Sequence, residues 1–178
     1  KQCSDVLLDA LKRLEYRGYD SSGIVTIHDS AIALQRAVGK LVNLDLALKE
    51  TPLLGDIGIG HTRWATHGGV STDNAHPHVA SGRVAIVHNG IIENHRTVRA
   101  RLEAAGHQFS SDTDSEVLAH LFVEAFDAGL GPAMATRQVL DEIDGAYAFA
   151  VIKIDHPDLL MVARNDSPLA LGLDEDSC

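Results

Sequence analysis

Gly60-His61-Thr62-Arg63-Trp64-Ala65-Thr66-His67-Gly68 spends most of its residues on hydrogen-bond donors. The apolar residues before it, Ile57 and Ile59, predict a buried strand. Such a strand carries a guanidinium and two hydroxyls to its C-terminal lip, where glycine closes a small pocket for an anionic ligand. Two later stretches offer complementary groups, Val87-His88-Asn89-Gly90-Ile91-Ile92-Glu93-Asn94 and Ser111-Asp112-Thr113-Asp114-Ser115-Glu116. An α-amino acid would use all three. Its carboxylate pairs with the fork of Arg63, and its ammonium pairs with Asp114, a carboxylate favoured at a helix start. Asn89-Gly90 supplies a side-chain amide and an unobstructed backbone N–H on adjacent residues, the donors of an oxyanion hole. Together these groups describe acyl transfer on an amino-acid side chain, and no nucleophile accompanies them.

Taken singly, each group has a plainer use. An arginine at a strand end commonly makes a surface ion pair, Asn-Gly after a strand commonly makes a hairpin turn, and Asp114 suits any helix start. Trp64 serves equally as a packed aromatic. Histidine offers different chemistry, since six of the ten (His61, His67, His76, His78, His88, His95) fall between residues 61 and 95. His76 and His78 on one strand would share a face, as metal ligands do. No HExxH motif accompanies them and both cysteines lie far off, so no metal and no cofactor is expected. Gly55 to Gly60 is no phosphate loop, because a strand follows it and no Gly-Lys-Ser/Thr closes it.

The 178 residues suit one domain. A net charge of −10 argues against nucleic acid as a partner. The two cysteines, Cys3 and Cys178, make no disulfide framework and fit a reducing cytoplasm. The first residues have no signal-peptide character, and no apolar run approaches the ~20 residues of a membrane span.

The elements that must position these groups follow from the periodicities. Ser4 or Asp5 caps a helix through Leu7, Leu8, Leu11 and Leu14, ended by Gly18. A strand at Ile24–His28 and a second at Ala31–Val38 form a hairpin about Asp29-Ser30. A helix over Leu41–Leu48 precedes the Arg63 strand, and 68–77 reads as a loop. Val84–Val87 is a short buried strand ending at Asn89-Gly90. Asn94 caps a helix carrying Val98, Leu102 and Ala105. Thr113 and Glu116 stand in the capping-box relation before a helix burying Val117, Leu121 and Ala125. A helix over Ala133–Ile143 and strands at Ala146–Ile154, Leu159–Ala163 and Leu169–Leu171 complete an α+β order.

Read jointly, five stretches resemble the glutamine amidotransferase domain of the glucosamine-6-phosphate synthase family. They are Glu15-Tyr-Arg-Gly-Tyr-Asp-Ser-Ser-Gly23, His61 to Gly68, Asn74-Ala-His-Pro-His78, His88 to Asn94 and Ser111 to Glu116. The resemblance implies an N-terminal-nucleophile hydrolase fold, a four-layer αββα sandwich. It also implies that Arg63 holds the glutamine α-carboxylate, Asp114 its ammonium, and Asn89 with Gly90 the oxyanion. Trp64, Thr66, His67 and His76 would line or close the pocket, with Arg17 beside the nucleophile. By the same likeness the partners are L-glutamine and a sugar-phosphate isomerase domain on the same polypeptide, in a homodimer. The ammonia would pass to fructose 6-phosphate.

The family's nucleophile is an N-terminal cysteine opening a Cys-Gly-Ile strand, with its own α-amine (pKa ~8) as base. This sequence opens at Lys1, at the lip of the first helix, and Cys3 has no glycine after it. The expectation is therefore an amidotransferase domain incomplete at both ends, without the first strand, the thiol or the isomerase domains. A catalytically silent glutamine-binding module is the alternative.

Overall fold

The computed structural model describes residues 2–65 and 68–172. In chain order the elements are α1 (Cys3–Leu14), β1 (Ser21–His28), β2 (Ala31–Val38), α2 (Leu41–Glu50), β3 (Ile57–Arg63) and β4 (His78–Ala80). There follow β5 (Val84–Ile92), α3 (His95–Ala104), α4 (Glu116–Asp127), α5 (Pro132–Glu142), β6 (Gly145–Lys153) and β7 (Met161–Asn165). A single turn of 3₁₀-helix, Glu15–Arg17, joins α1 to β1.

The strands form two antiparallel sheets, ordered β2-β1-β3 and β4-β5-β6-β7. Period-two alternation gives each strand one face toward helices and one toward the other sheet. In β1, Ile24 packs with Leu8, Leu11, Leu41 and Leu44 of α1 and α2, whereas its neighbour Val25 packs with Ala85 and Ile152 of the second sheet. In β5 and β6, Ile86 and Phe149 face α3, α4 and α5 while Ala85 and Ile152 face the first sheet. The result is four layers: α1 and α2, one sheet, the other sheet, then α3 to α5. That is the αββα sandwich of N-terminal-nucleophile hydrolases. The helix α4 lies deepest, with every residue from Glu116 to Val123 buried.

Several elements depart from the sequence reading. β5 does not stop at Val87 but runs on to Ile92, with Asn89 opposite Ala148 and Gly90 opposite Tyr147 in β6. Asn89-Gly90 is thus strand, not a hairpin turn. Gly90 takes φ +128°, and a Cβ there would lie 2.0 Å from the Ala146 carbonyl oxygen, so only glycine fits. β4 lies in the stretch between Pro77 and Val84, where no strand was expected. Leu169–Leu171 forms no strand, and Leu171 stands 73% exposed, so the burial that holds a short apolar strand is missing.

The caps also differ. Gln2, not Ser4 or Asp5, precedes α1, and the Ser4 hydroxyl donates to the Leu53 carbonyl instead. The residue before α4 is Ser115, so Thr113 and Glu116 make no capping box. Glu116 reaches back further, accepting from the N–H and hydroxyl of both Ser110 and Ser111 at 2.7–2.9 Å. Asn94 precedes α3, but its side chain bridges to the start of β6. It donates to Glu142 O at 2.9 Å and accepts from the Asp144 N–H at 3.1 Å.

Candidate functional site

The strand β3 ends at Arg63 and β5 runs through Asn89 and Gly90. Both open on one cavity of about 370 Å³, walled also by the end of α1 and the 113–115 loop. Arg17, Arg63, Trp64, His76, Asn89, Gly90 and Asp114 all line it. Thr66 and His67 lie outside the described residues.

Arg63 is 4% exposed, and structure around it satisfies much of its fork. Its two terminal nitrogens donate to Gly69 O and Gly68 O, both at 3.2 Å, and Nη1 lies 3.8 Å from Asp20 Oδ1. Asp20 also accepts from the Ser21 hydroxyl at 2.7 Å and from the backbone N–H of Ala65. One carboxylate therefore sets both the guanidinium and the turn after β3. Trp64 is 60% exposed at the rim, its ring edge against Tyr19 at 5.3 Å. Arg17 is exposed too, its guanidinium 5.9 Å from the Tyr16 ring centre.

Across the cavity, Asp114 is buried and its Oδ2 accepts the Ile92 N–H at 2.8 Å. Asn74 spans the gap between the turn after β3 and the loop before α4. Its Nδ2 donates to Gly69 O at 3.0 Å and its Oδ1 accepts from the Asp112 N–H at 2.8 Å. The Arg63 turn and the Asp114 loop are thus tied through one buried amide.

Four buried imidazoles cluster at the cavity, three of which, His61, His76 and His88, line it. His61 and His76 stack at 4.4 Å, and His78 meets His76 edge-on at 4.6 Å. Thr113 Oγ1 pairs with His78 Nε2 at 2.9 Å, the Ser115 hydroxyl with His88 Nδ1 at 2.7 Å, and the His88 N–H donates to His76 Nδ1 at 3.3 Å. Burial lowers all four pKa values, His78 to about 3 and His88 to about 4, and drives His76 well below the ordinary imidazole range. The rings are neutral at pH 7. His76 precedes β4 instead of sharing a strand with His78. Among the described residues no group of three or more His, Cys, Asp or Glu is placed to hold a metal ion.

Sequence reasoning did not single out Asp20, Asn74, His61 or His88 for the site. Asp20 and Asn74 stand inside two of the quoted motifs, which was the available signal. Cys3 lies at the first turn of α1, its N–H donating to Gly55 O at 3.3 Å, and does not line the cavity. Burial, with Asp56 adding to it, raises its thiol pKa, the reverse of what a nucleophile requires.

Two stacked antiparallel sheets between helical layers, with an Arg/Asp/Asn-Gly cavity between strand ends, define an N-terminal-nucleophile amidotransferase fold. Residues 61–177 match the family model described as the glutamine amidotransferase domain, and the chain belongs to that family. It is 54% identical over 171 residues to the glutamine–fructose-6-phosphate aminotransferase (isomerizing) of Mesorhizobium japonicum, covering 96% of this chain and 28% of the relative. The enzyme of that name from Streptomyces coelicolor is 50% identical over 173 residues, again with 96% and 28% covered. The chain thus spans little more than a quarter of the relatives' length.

Solved structures agree. The allosteric regulatory enzyme of purine biosynthesis superposes with TM-score 0.78 at 26% identity, covering 90% of this chain and 34% of that one. The glutamine phosphoribosylpyrophosphate amidotransferase from B. subtilis gives 0.73 at 25% identity, with 86% and 33% covered. Among the described residues no helix is long and apolar enough to cross a membrane.

Proposed function

We propose that residues 1–178 belong to one glutaminase domain that splits L-glutamine to glutamate and ammonia. The observation that carries this is the meeting of Arg63, Asp114, Asn89 and Gly90 in one cavity. Arg63 faces the α-carboxylate and Asp114 the ammonium, and the side-chain amide then extends toward Asn89 and Gly90. Trp64 and Arg17 form the rim and His76 the floor, with Thr66 and His67 assigned to closing the pocket by family likeness.

In this reading a thiolate attacks the amide carbon, and the carbonyl electrons move to oxygen. The resulting oxyanion accepts from Asn89 Nδ2 and the Gly90 N–H. Collapse expels ammonia after it gains a proton, leaving a thioester that water hydrolyses to glutamate and the regenerated thiol. Cys3 is too far along α1 to supply that thiol, about 12 Å of helix rise from Leu11, and Cys178 lies outside the described residues. The reading assigns it to an N-terminal cysteine, as the family likeness implies.

The names of the relatives support fructose 6-phosphate as ammonia acceptor, on a sugar-phosphate isomerase domain of the same polypeptide. A homodimer and a cytoplasmic setting belong to the same reading, the latter supported by two cysteines and an acidic balance. The test is release of glutamate and ammonia from L-glutamine by the full-length polypeptide, with D-glutamine inert. Glutamine binding without ammonia release would replace this reading by a silent binding module.

A further inference from the structure

His61 sits on β3 and Asn89 on β5, in different sheets, and one hydrogen bond of 2.9 Å joins His61 Nε2 to Asn89 Oδ1. The other ring nitrogen, Nδ1, is buried and meets no hydrogen-bond partner. The Asn89 oxygen facing Nε2 can only accept, so the ring proton sits on Nε2. Burial keeps the imidazole neutral at pH 7. The ring is held in turn, stacked on His76, whose Nδ1 accepts the backbone N–H of His88, the residue before Asn89.

A carboxamide has two faces that differ only by a half-turn. With Oδ1 toward His61, the Asn89 Nδ2 donor is presented to the cavity that Asn89 lines. After the half-turn, Nδ2 would oppose the His61 N–H and Oδ1 would face the developing oxyanion, replacing attraction by repulsion.

The geometry points to His61 as a positioning residue that fixes the Asn89 carboxamide in its donating orientation, so that the oxyanion hole stands formed before substrate arrives. This rests on the glutaminase reading. His61 touches no reacting atom in it and acts through Asn89 alone. Arg63 and Asp114 hold the amino-acid end of the substrate, so loss of His61 should act on turnover and not on binding.

Steady-state glutaminase kinetics of the full-length polypeptide test this. His61→Phe, which keeps a flat ring and removes the donor, should lower kcat by about 10- to 100-fold, short of or equal to the loss expected for deleting one oxyanion donor. KM for glutamine should stay within about threefold. His61→Gln can donate to the same oxygen and should recover most of the loss. In an Asn89→Ala background, His61→Phe should cost no more than about twofold further, because its only target is gone. Equal losses in both backgrounds, or a KM that rises with kcat unchanged, would overturn the assignment.

A readout free of turnover accompanies this. In ¹⁵N spectra of histidine-labelled full-length polypeptide, the resonances that vanish in His61→Gln should report Nε2 protonated at pH 7. Protonation at Nδ1 would overturn the proposal, even if His61→Phe failed to fold. A polypeptide that splits no glutamine would sink the glutaminase reading, and the ring proton would still settle which way the Asn89 amide is held.

Discussion

Asp114 accepts the backbone N–H of Ile92 through Oδ2 at 2.8 Å, which fastens the loop before α4 to the strand carrying Asn89 and Gly90. The group assigned to the substrate ammonium is therefore spaced from the oxyanion donors by a hydrogen bond, not by loop length. Asp114→Asn keeps an oxygen for the Ile92 N–H but loses the charge. It should raise KM for glutamine about 10- to 100-fold, the worth of one charge-assisted hydrogen bond, with kcat within about threefold. Steady-state kinetics with a melting curve would check that the fold is kept.

Gly90→Ala is expected to fail as a folded protein. The positive φ and the Ala146 carbonyl oxygen, 2.0 Å from the new Cβ, combine strain with overlap inside a nine-residue antiparallel ladder. A loss above about 3 kcal/mol follows, read as a collapse of the urea midpoint. A variant as stable as the parent would contradict the strand geometry given to β5.

Glu116 replaces the absent capping box. It is buried, and although burial opposes its ionisation, the His120 ring 3.8 Å away and hydrogen bonds from Ser110 and Ser111 hold its carboxyl well below the usual range. Glu116→Gln substitutes an NH₂ for one accepting oxygen, setting donor against donor. It should destabilise the fold by roughly 2 kcal/mol, the penalty of leaving buried donors unmatched, measured by urea unfolding at pH 7.

Acid should weaken the fold well before ordinary carboxylates titrate. His78 and His88 protonate at about 3 and about 4 in the fold because burial disfavours the charged ring, against ~6.5 when unfolded. Between pH 6.5 and about 4 the unfolded chain binds more protons, so stability falls as pH falls. The depressed carboxyl of Glu116 acts in the same direction lower down. The urea midpoint should drop steadily from pH 7 to pH 5, and His78→Gln should make that slope shallower. A midpoint flat over this range would contradict the neutral buried cluster.

Much of this architecture is legible in the chain. The alternation of Ile24 with Val25 and of Ile86 with Ala85 separates helix-facing from sheet-facing residues, and the leucines of α1 recur at helical spacing. The end of β5 is not legible. His88, Asn89 and Gly90 break the apolar run because this end of the strand opens on a polar cavity, and the ladder to β6 continues regardless. β4 is three residues long beside Pro77, too short to show a period. At the site, Arg63, Asp114 and Asn89 announce themselves by type. His61 does not, since its role comes from an oxygen 28 residues away on the other sheet.

The most direct measurement is glutamate production from L-glutamine by the full-length polypeptide and two variants compared side by side. Arg63→Ala removes the carboxylate clamp and should raise KM by about 100-fold or more, the worth of a bidentate charged contact. Asn89→Ala removes one oxyanion donor and should lower kcat by about 10²- to 10³-fold with KM little changed. Opposite partition of the two losses between KM and kcat is the signature the account predicts. Variants indistinguishable from the parent in both constants would contradict it.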